Sequence, residues 1–162
     1  MATRSQYFHF HTSDVDSLVE QTAPLRVIVV DDSPDLLEVV CALLETNKDV
    51  DLIGRGNDGS EALGLASAME PDLVLMDVQM PHVDGIAAAA LITMHFPETT
   101  VVLMSGDDSP ELRAQCMDCG AHAFIHKSRL VRELDNMIES VRGAQFLNYL
   151  QNELRNELRS DA

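Results

Sequence analysis

The feature that most constrains this chain is an alternation. From Leu25 onward, short apolar runs take turns with longer stretches of helical periodicity, β then α, five times over. The candidate strands are Leu25–Val30, Val50–Gly54, Leu73–Met76, Thr100–Met104 and Ala121–Ile125. Three of them are almost continuously apolar, as strands covered on both faces of a parallel sheet must be. The candidate helices are Asp35–Thr46, Ser60–Met69, Gly85–His95, Pro110–Cys119 and Arg129–Arg142, lengths usual for crossover helices. Ser33 before Pro34 and Ser109 before Pro110 read as caps followed by a first-turn proline. The pattern predicts an α/β fold, a doubly wound five-stranded parallel sheet with right-handed crossovers. Such sheets bind ligands beyond the carboxyl ends of their strands.

Size and charge narrow what the sheet can serve. A chain of 162 residues that is 46% hydrophobic fills one substantial core, and with 4% aromatics and no Trp that core is built from Val, Leu, Ile, Met and Ala. The net charge of −16 argues against direct DNA binding, which needs clustered Lys and Arg. Cys41, Cys116 and Cys119 are an odd set in helical patterns, a poor disulfide framework, so a reducing cytoplasm is expected. Residues 1–24 read as a flexible tail without a signal peptide, and no apolar run reaches membrane-spanning length. Residues 25–142 hold the folded domain. Residues 143–162 form a C-terminal helical extension whose Leu147, Leu150, Leu154 and Leu158 recur at helical spacing. We expect an interaction helix there, one route to a homodimer.

The residues at the strand ends carry the chemistry. Asp31 and Asp32 follow the first strand, Asp77 the third, Ser105 the fourth and Lys127 the fifth, so the sheet gathers all five at one rim. Three crowded carboxylates repel unless a cation neutralises them. Mg²⁺, with Mn²⁺ as a substitute, suits one or two carboxylates together with a phosphate oxygen. An Asp carboxylate can also be the nucleophile that forms an acyl phosphate, with catalysis resting on positioning and charge stabilisation. Mg²⁺, the Lys127 ammonium, and the Ser105 hydroxyl with nearby amides would each take one phosphoryl oxygen. Gly106 leaves room for the incoming group.

These segments resemble the receiver domains of two-component response regulators. The residues that carry the likeness are Val29-Val30-Asp31-Asp32-Ser33, Leu75 to Pro81 with Asp84-Gly85, Leu103-Met104-Ser105-Gly106, and Gly120-Ala121 leading to Phe124 and Lys127, over about Leu25 to Arg142. The resemblance implies a flavodoxin-like sheet of order 2-1-3-4-5, the order of the family's chemotaxis regulator. It further implies that Asp77 is the phosphoacceptor, that Asp31, Asp32 and Asp77 hold Mg²⁺ with the Gln79 carbonyl, that Lys127 pairs with the phosphoryl group, and that Ser105 and Phe124 form the switch. The implied donor is a sensor histidine kinase or a histidine phosphotransfer protein, and the domain catalyses only its own phosphorylation and dephosphorylation. It would act as a stand-alone receiver through protein contacts, its fourth and fifth helices forming the altered surface. Two departures stand out. Ser128 follows Lys127 where many members have proline, often through a cis bond that would cost a non-proline residue about 3 kcal/mol. Gln79 and Asp107 occupy positions that tune hydrolysis in the family.

Other readings compete. Gly54, Gly56 and Gly59 match G-x-G-x-x-G after a strand, with Asp77 downstream, which is the pattern of a dinucleotide-binding oxidoreductase. Against it, that strand carries Asp49 and Asp51 rather than a buried apolar run, and the motif leaves the aspartate pair, Ser105 and Lys127 unexplained. An inert receiver-like scaffold is the third reading, opposed by the intact phosphoryl site. Cys116 and Cys119 lack a second ligand pair for zinc. His9 and His11 read as tail residues.

Overall fold

The computed structural model describes residues 23–160; most of the proposed tail, including His9 and His11, lies outside them. Residues 24–144 form one compact unit, and residues 145–160 fall outside it. The elements run β1 (Leu25–Val30), α1 (Pro34–Glu45), β2 (Val50–Gly56), α2 (Gly59–Met69), β3 (Leu73–Asp77), α3 (Gly85–His95), β4 (Thr100–Ser105), α4 (Pro110–Asp118), β5 (Ala123–His126), a 3₁₀ turn (Lys127–Arg129) and α5 (Leu130–Ser160). The five strands are parallel in the order β2-β1-β3-β4-β5. The doubly wound sheet expected from the alternation and the flavodoxin-like order that the resemblance implies are therefore both present.

Period-two alternation assigns each strand residue to a face. Val27, Val29, Leu73, Leu75, Val102, Met104 and Ile125 point to one side and pack with residues of α1 and α5 such as Val40, Leu44, Leu134 and Ile138. Ile28, Val30, Val74, Met76, Val101, Leu103 and Phe124 point to the other, against Ala62, Ala66, Ala88, Ala89, Ile92 and Cys116 of α2, α3 and α4. The small residues of the second layer let its helices approach closely. Gly85 is the extreme case: a Cβ there would lie 2.0 Å from the Asp77 carbonyl oxygen. That contact presses the start of α3 onto the end of β3, where the candidate acceptor sits.

The caps hold as expected at α1, where the Ser33 side chain accepts from the Leu36 amide. Ser109 caps α4 by position only; its hydroxyl donates to Asp107 instead. Three boundaries differ from the sequence reading by two residues or more. β2 continues to Gly56, carried along the β1 edge by a register shift at Val27/Ile28. β5 starts at Ala123 because Gly120 turns the chain at φ 92, a left-handed conformation that suits glycine. The helix expected to stop at Arg142 runs without interruption as α5, since a glycine inside a helix costs only about 1 kcal/mol. Beyond the compact unit, Leu147 and Tyr149 are exposed.

The dinucleotide reading fails locally. Gly54 and Gly56 lie within β2, the edge strand, rather than in a phosphate-binding turn. The N-terminus of α2 is already capped: Asp58 accepts from the Glu61 amide, and Glu61 accepts from the Asn57 amide. Those carboxylates would repel a pyrophosphate.

Two glycines give opposite expectations. Gly85→Ala forces backbone apart and should destabilise by about 3 kcal/mol, whereas Gly143→Ala, with open space around its Cβ, should stabilise by roughly 0.5–1 kcal/mol. Denaturant unfolding of both variants measures this, and a neutral Gly85→Ala would contradict the packing described.

Candidate functional site

At the carboxyl rim, the sheet brings together the five residues singled out from the sequence. Asp77 and Ser105 are the last residues of β3 and β4. Asp31 follows β1 directly and Lys127 follows β5. Asp31, Asp77 and Ser105 are buried, while Asp32 is exposed.

Local hydrogen bonds aim these groups. Asp31 Oδ1 accepts from the Ser33 amide at 2.9 Å, a turn that leads into α1 and leaves Oδ2 facing the site. Lys127 Nζ lies 2.9 Å from Asp31 Oδ2 and 3.0 Å from Asp77 Oδ1. The amide of Val78 donates to the Met104 carbonyl and that of Gly85 to the Val78 carbonyl, which fixes the chain on leaving Asp77. Ser105 Oγ accepts from the Asp107 amide at 3.0 Å. Gly106 has nothing within 4 Å of where a Cβ would stand, so the space inferred beside Ser105 is open.

One ammonium is thus shared between two buried carboxylates. Carboxylate oxygens of Asp31, Asp32 and Asp77 all lie within 4.8 Å of one another, a separation at which two charges repel by roughly 3–4 kcal/mol at an effective dielectric near 20. Burial pushes the Asp77 carboxyl above its ordinary value, and the Asp31 charge adds to this; the Lys127 bond and charge and the Gln79 amide recover only part. Burial alone would lower the Lys127 ammonium, but its bonds to Asp31 and Asp77 and their charges outweigh it, so the ammonium is held above its usual range. Asp31 Oδ2 is buried and has no partner other than the Lys127 ammonium 2.9 Å away, which it shares with Asp77. A buried carboxylate oxygen with one shared cation, beside two further carboxylates, is an oxygen-ligand set that fits a hard divalent cation.

Around this centre lie residues that the sequence reading did not use. Arg113 of α4 stacks its guanidinium 4.8 Å from the centroid of the Phe124 ring and pairs with Asp108. Arg129 also reaches Asp108. His126 bonds to Gly106 and Ser128. Their signal lies in the β4–β5 register, which sequence periodicity does not provide. The described residues contain no cis peptide bond; a 3₁₀ turn carries Lys127 and Ser128, with the His126 ring accepting from the Ser128 amide. Cys116 is buried, its thiol pushed up to about 11 by burial, and Cys41 is likewise raised. Neither is a ready nucleophile.

Fold and site together define a flavodoxin-like domain with an acidic pocket and a lysine at the carboxyl ends of its strands. The chain belongs to the response regulator receiver domain family of two-component systems, whose model matches residues 27–139. It is 37% identical over 105 residues to a protein-glutamate methylesterase/protein-glutamine glutaminase of Methanospirillum hungatei, covering 64% of this chain and 30% of that protein. It is 35% identical over 114 residues to the probable transcriptional regulatory protein NarL of Mycobacterium tuberculosis, covering 70% of this chain and 53% of that one. The chain therefore spans about a third to a half of these curated relatives. Among solved structures, the NarL receiver domain of M. tuberculosis superposes with a TM-score of 0.67 at 32% identity over 73% of this chain and 98% of that one. The response regulator domain of Thermotoga maritima CheB gives 0.68 at 27% identity over 74% and 97%. No helix among the described residues is long and apolar enough to cross a membrane.

The raised Asp77 carboxyl sets a pH dependence. Because the folded state holds this proton more tightly than the unfolded chain, ionising Asp77 costs stability. The cost is absent below the ordinary Asp value and grows as pH rises through the raised one. Without divalent cations, Asp77→Asn should be the more stable protein at pH 7, and the difference should vanish as pH falls towards 4. Mg²⁺ at ten times its Kd should stabilise the wild type by about 1.4 kcal/mol. Urea unfolding across pH, with and without Mg²⁺, checks both.

Proposed function

We propose that this chain is a phosphorylation-activated receiver in which Asp77 accepts a phosphoryl group from a histidine kinase or histidine phosphotransfer protein. The observation that carries this reading is the Lys127 ammonium within 3.0 Å of the buried Asp77 carboxylate at a strand end. An Asp77 oxygen forms a bond to phosphorus as the bond from phosphorus to the donor imidazole nitrogen breaks; that imidazole keeps the electron pair and takes up a proton. Asp31, Asp32 and Asp77, with the Gln79 carbonyl, would hold Mg²⁺, which when bound offsets their negative charge and that of the phosphoryl oxygens. Lys127 pairs with a phosphoryl oxygen. The Ser105 hydroxyl takes another after releasing the Asp107 amide.

Switching follows from that release. A phosphoryl group adds up to about two negative charges, draws Ser105 towards Asp77, and opens space for Phe124. Arg113 over the ring opposes this movement, a contact of about 0.5–1 kcal/mol at an exposed site. Turning a 1:99 population into 99:1 requires about 5.5 kcal/mol of preferential stabilisation, within reach of several charge-assisted contacts. The output is a protein contact in the cytoplasm. The domain performs no chemistry beyond its own phosphorylation and hydrolysis.

Intact mass after incubation with acetyl phosphate tests the reading. The wild type should gain one phosphoryl group only with Mg²⁺ or Mn²⁺ present, Asp77→Asn should gain none, and Lys127→Ala should react at least tenfold more slowly. No gain in the wild type, together with no binding of beryllofluoride, would leave an inert scaffold as the better account.

A further inference from the structure

Ser105 and His126 form the last pair of the β4–β5 ladder. Beyond them both strands leave the sheet, one into the loop of Gly106 and Asp107, the other into the 3₁₀ turn that begins at Lys127. No ladder bond holds the two segments in register past that point. The His126 imidazole spans the gap. Its Nε2 lies 2.9 Å from the Gly106 carbonyl oxygen, and its Nδ1 lies 2.6 Å from Ser128 Oγ and 3.3 Å from the Ser128 amide.

Only one tautomer satisfies all three contacts. A carbonyl oxygen can only accept, so Nε2 carries the hydrogen and donates it; in the neutral ring Nδ1 is then the acceptor, and both the Ser128 hydroxyl and the Ser128 amide donate to it. On one side the ring fixes the turn that carries Lys127. On the other it fixes the peptide plane between Gly106 and Asp107. In a trans peptide the carbonyl and the following N–H point in opposite directions, so holding the Gly106 carbonyl aims the Asp107 N–H, which donates to Ser105 Oγ. A continuous path thus runs from Lys127 through the imidazole and one peptide plane to Ser105. The neighbouring Arg129–Asp108 pair also links the two segments, but its side chains are 41% and 43% exposed, and such surface pairs hold geometry weakly.

We propose that His126 is a positioning residue for phosphoryl transfer, setting the Lys127 ammonium and the Ser105 hydroxyl at their relative places around Asp77. The role rests on the receiver reading above. It is specific to the reach of the ring: a glutamine amide extends as far as Nε2, whereas an asparagine amide ends near Nδ1.

Two measurements test it on the full chain. The first is the rate of phosphorylation by acetyl phosphate, read by intact mass, beside Mg²⁺ affinity from calorimetric titration. His126→Ala should lose about tenfold in rate with Mg²⁺ affinity within twofold of wild type, His126→Gln should recover to within threefold, and His126→Asn should not recover. The second is hydrogen exchange of the Asp107 amide without any phosphodonor, expected to be about tenfold faster in His126→Ala and restored in His126→Gln. An alanine variant with the wild-type rate, or one whose loss glutamine fails to repair, would overturn the role and leave the receiver reading intact. A wild type that takes no phosphoryl group would overturn both, while an unchanged Asp107 exchange rate would remove the proposed path by itself.

Discussion

The site depends on a single cation held between two buried carboxylates. Lys127 Nζ contacts Asp31 and Asp77 at nearly equal distances, and a buried carboxylate is tolerable only when its charge is compensated. Burial raises the Asp77 carboxyl, and one ammonium shared between two such groups recovers only part of that shift. A divalent cation would relieve the residual negative charge and would offset the further charge that a phosphoryl group brings. A pocket that is under-compensated at rest is suited to acquiring charge partners, not to being a stable interior.

The rest of the domain supplies the placement. Parallel strands ending at one rim put Asp31, Asp77, Ser105 and Lys127 within reach without any long loop. The close approach at Gly85 fixes where β3 releases Asp77, and the small residues of α2 and α3 make that approach possible. On the far side of the site, β4 and β5 separate just where geometry matters most. There the structure relies on side chains, the His126 ring and the pairing of Asp108 with Arg113 and Arg129.

Much of this was legible in the sequence because apolar periodicity is a local signal. Continuous runs at Leu73–Met76 and Thr100–Met104 marked central strands, and the polar residue ending each run marked the rim. What escaped depended on contacts between distant segments. The register that sets His126 beside Ser105, the stacking of Arg113 on Phe124, and the turn at Gly120 that delays β5 come from pairing across the sheet. The G-x-G-x-x-G match failed for a related reason: the spacing was right, but the strand lies at the edge and the following helix is capped by its own carboxylates. The break expected near Gly143 did not occur because a single glycine is a weak helix terminator without a following proline or cap.

Under the proposed function, Lys127 and Ser105 change partners when Asp77 takes up a phosphoryl group. A crystal structure of the full chain with Mg²⁺ and beryllofluoride would show this directly. The expected result is beryllofluoride on an Asp77 oxygen, Lys127 Nζ turned from Asp31 to a fluorine, and Ser105 Oγ released from the Asp107 amide to face another fluorine. A complex in which Lys127 still bridges Asp31 and Asp77, and Ser105 keeps the Asp107 bond, would contradict it.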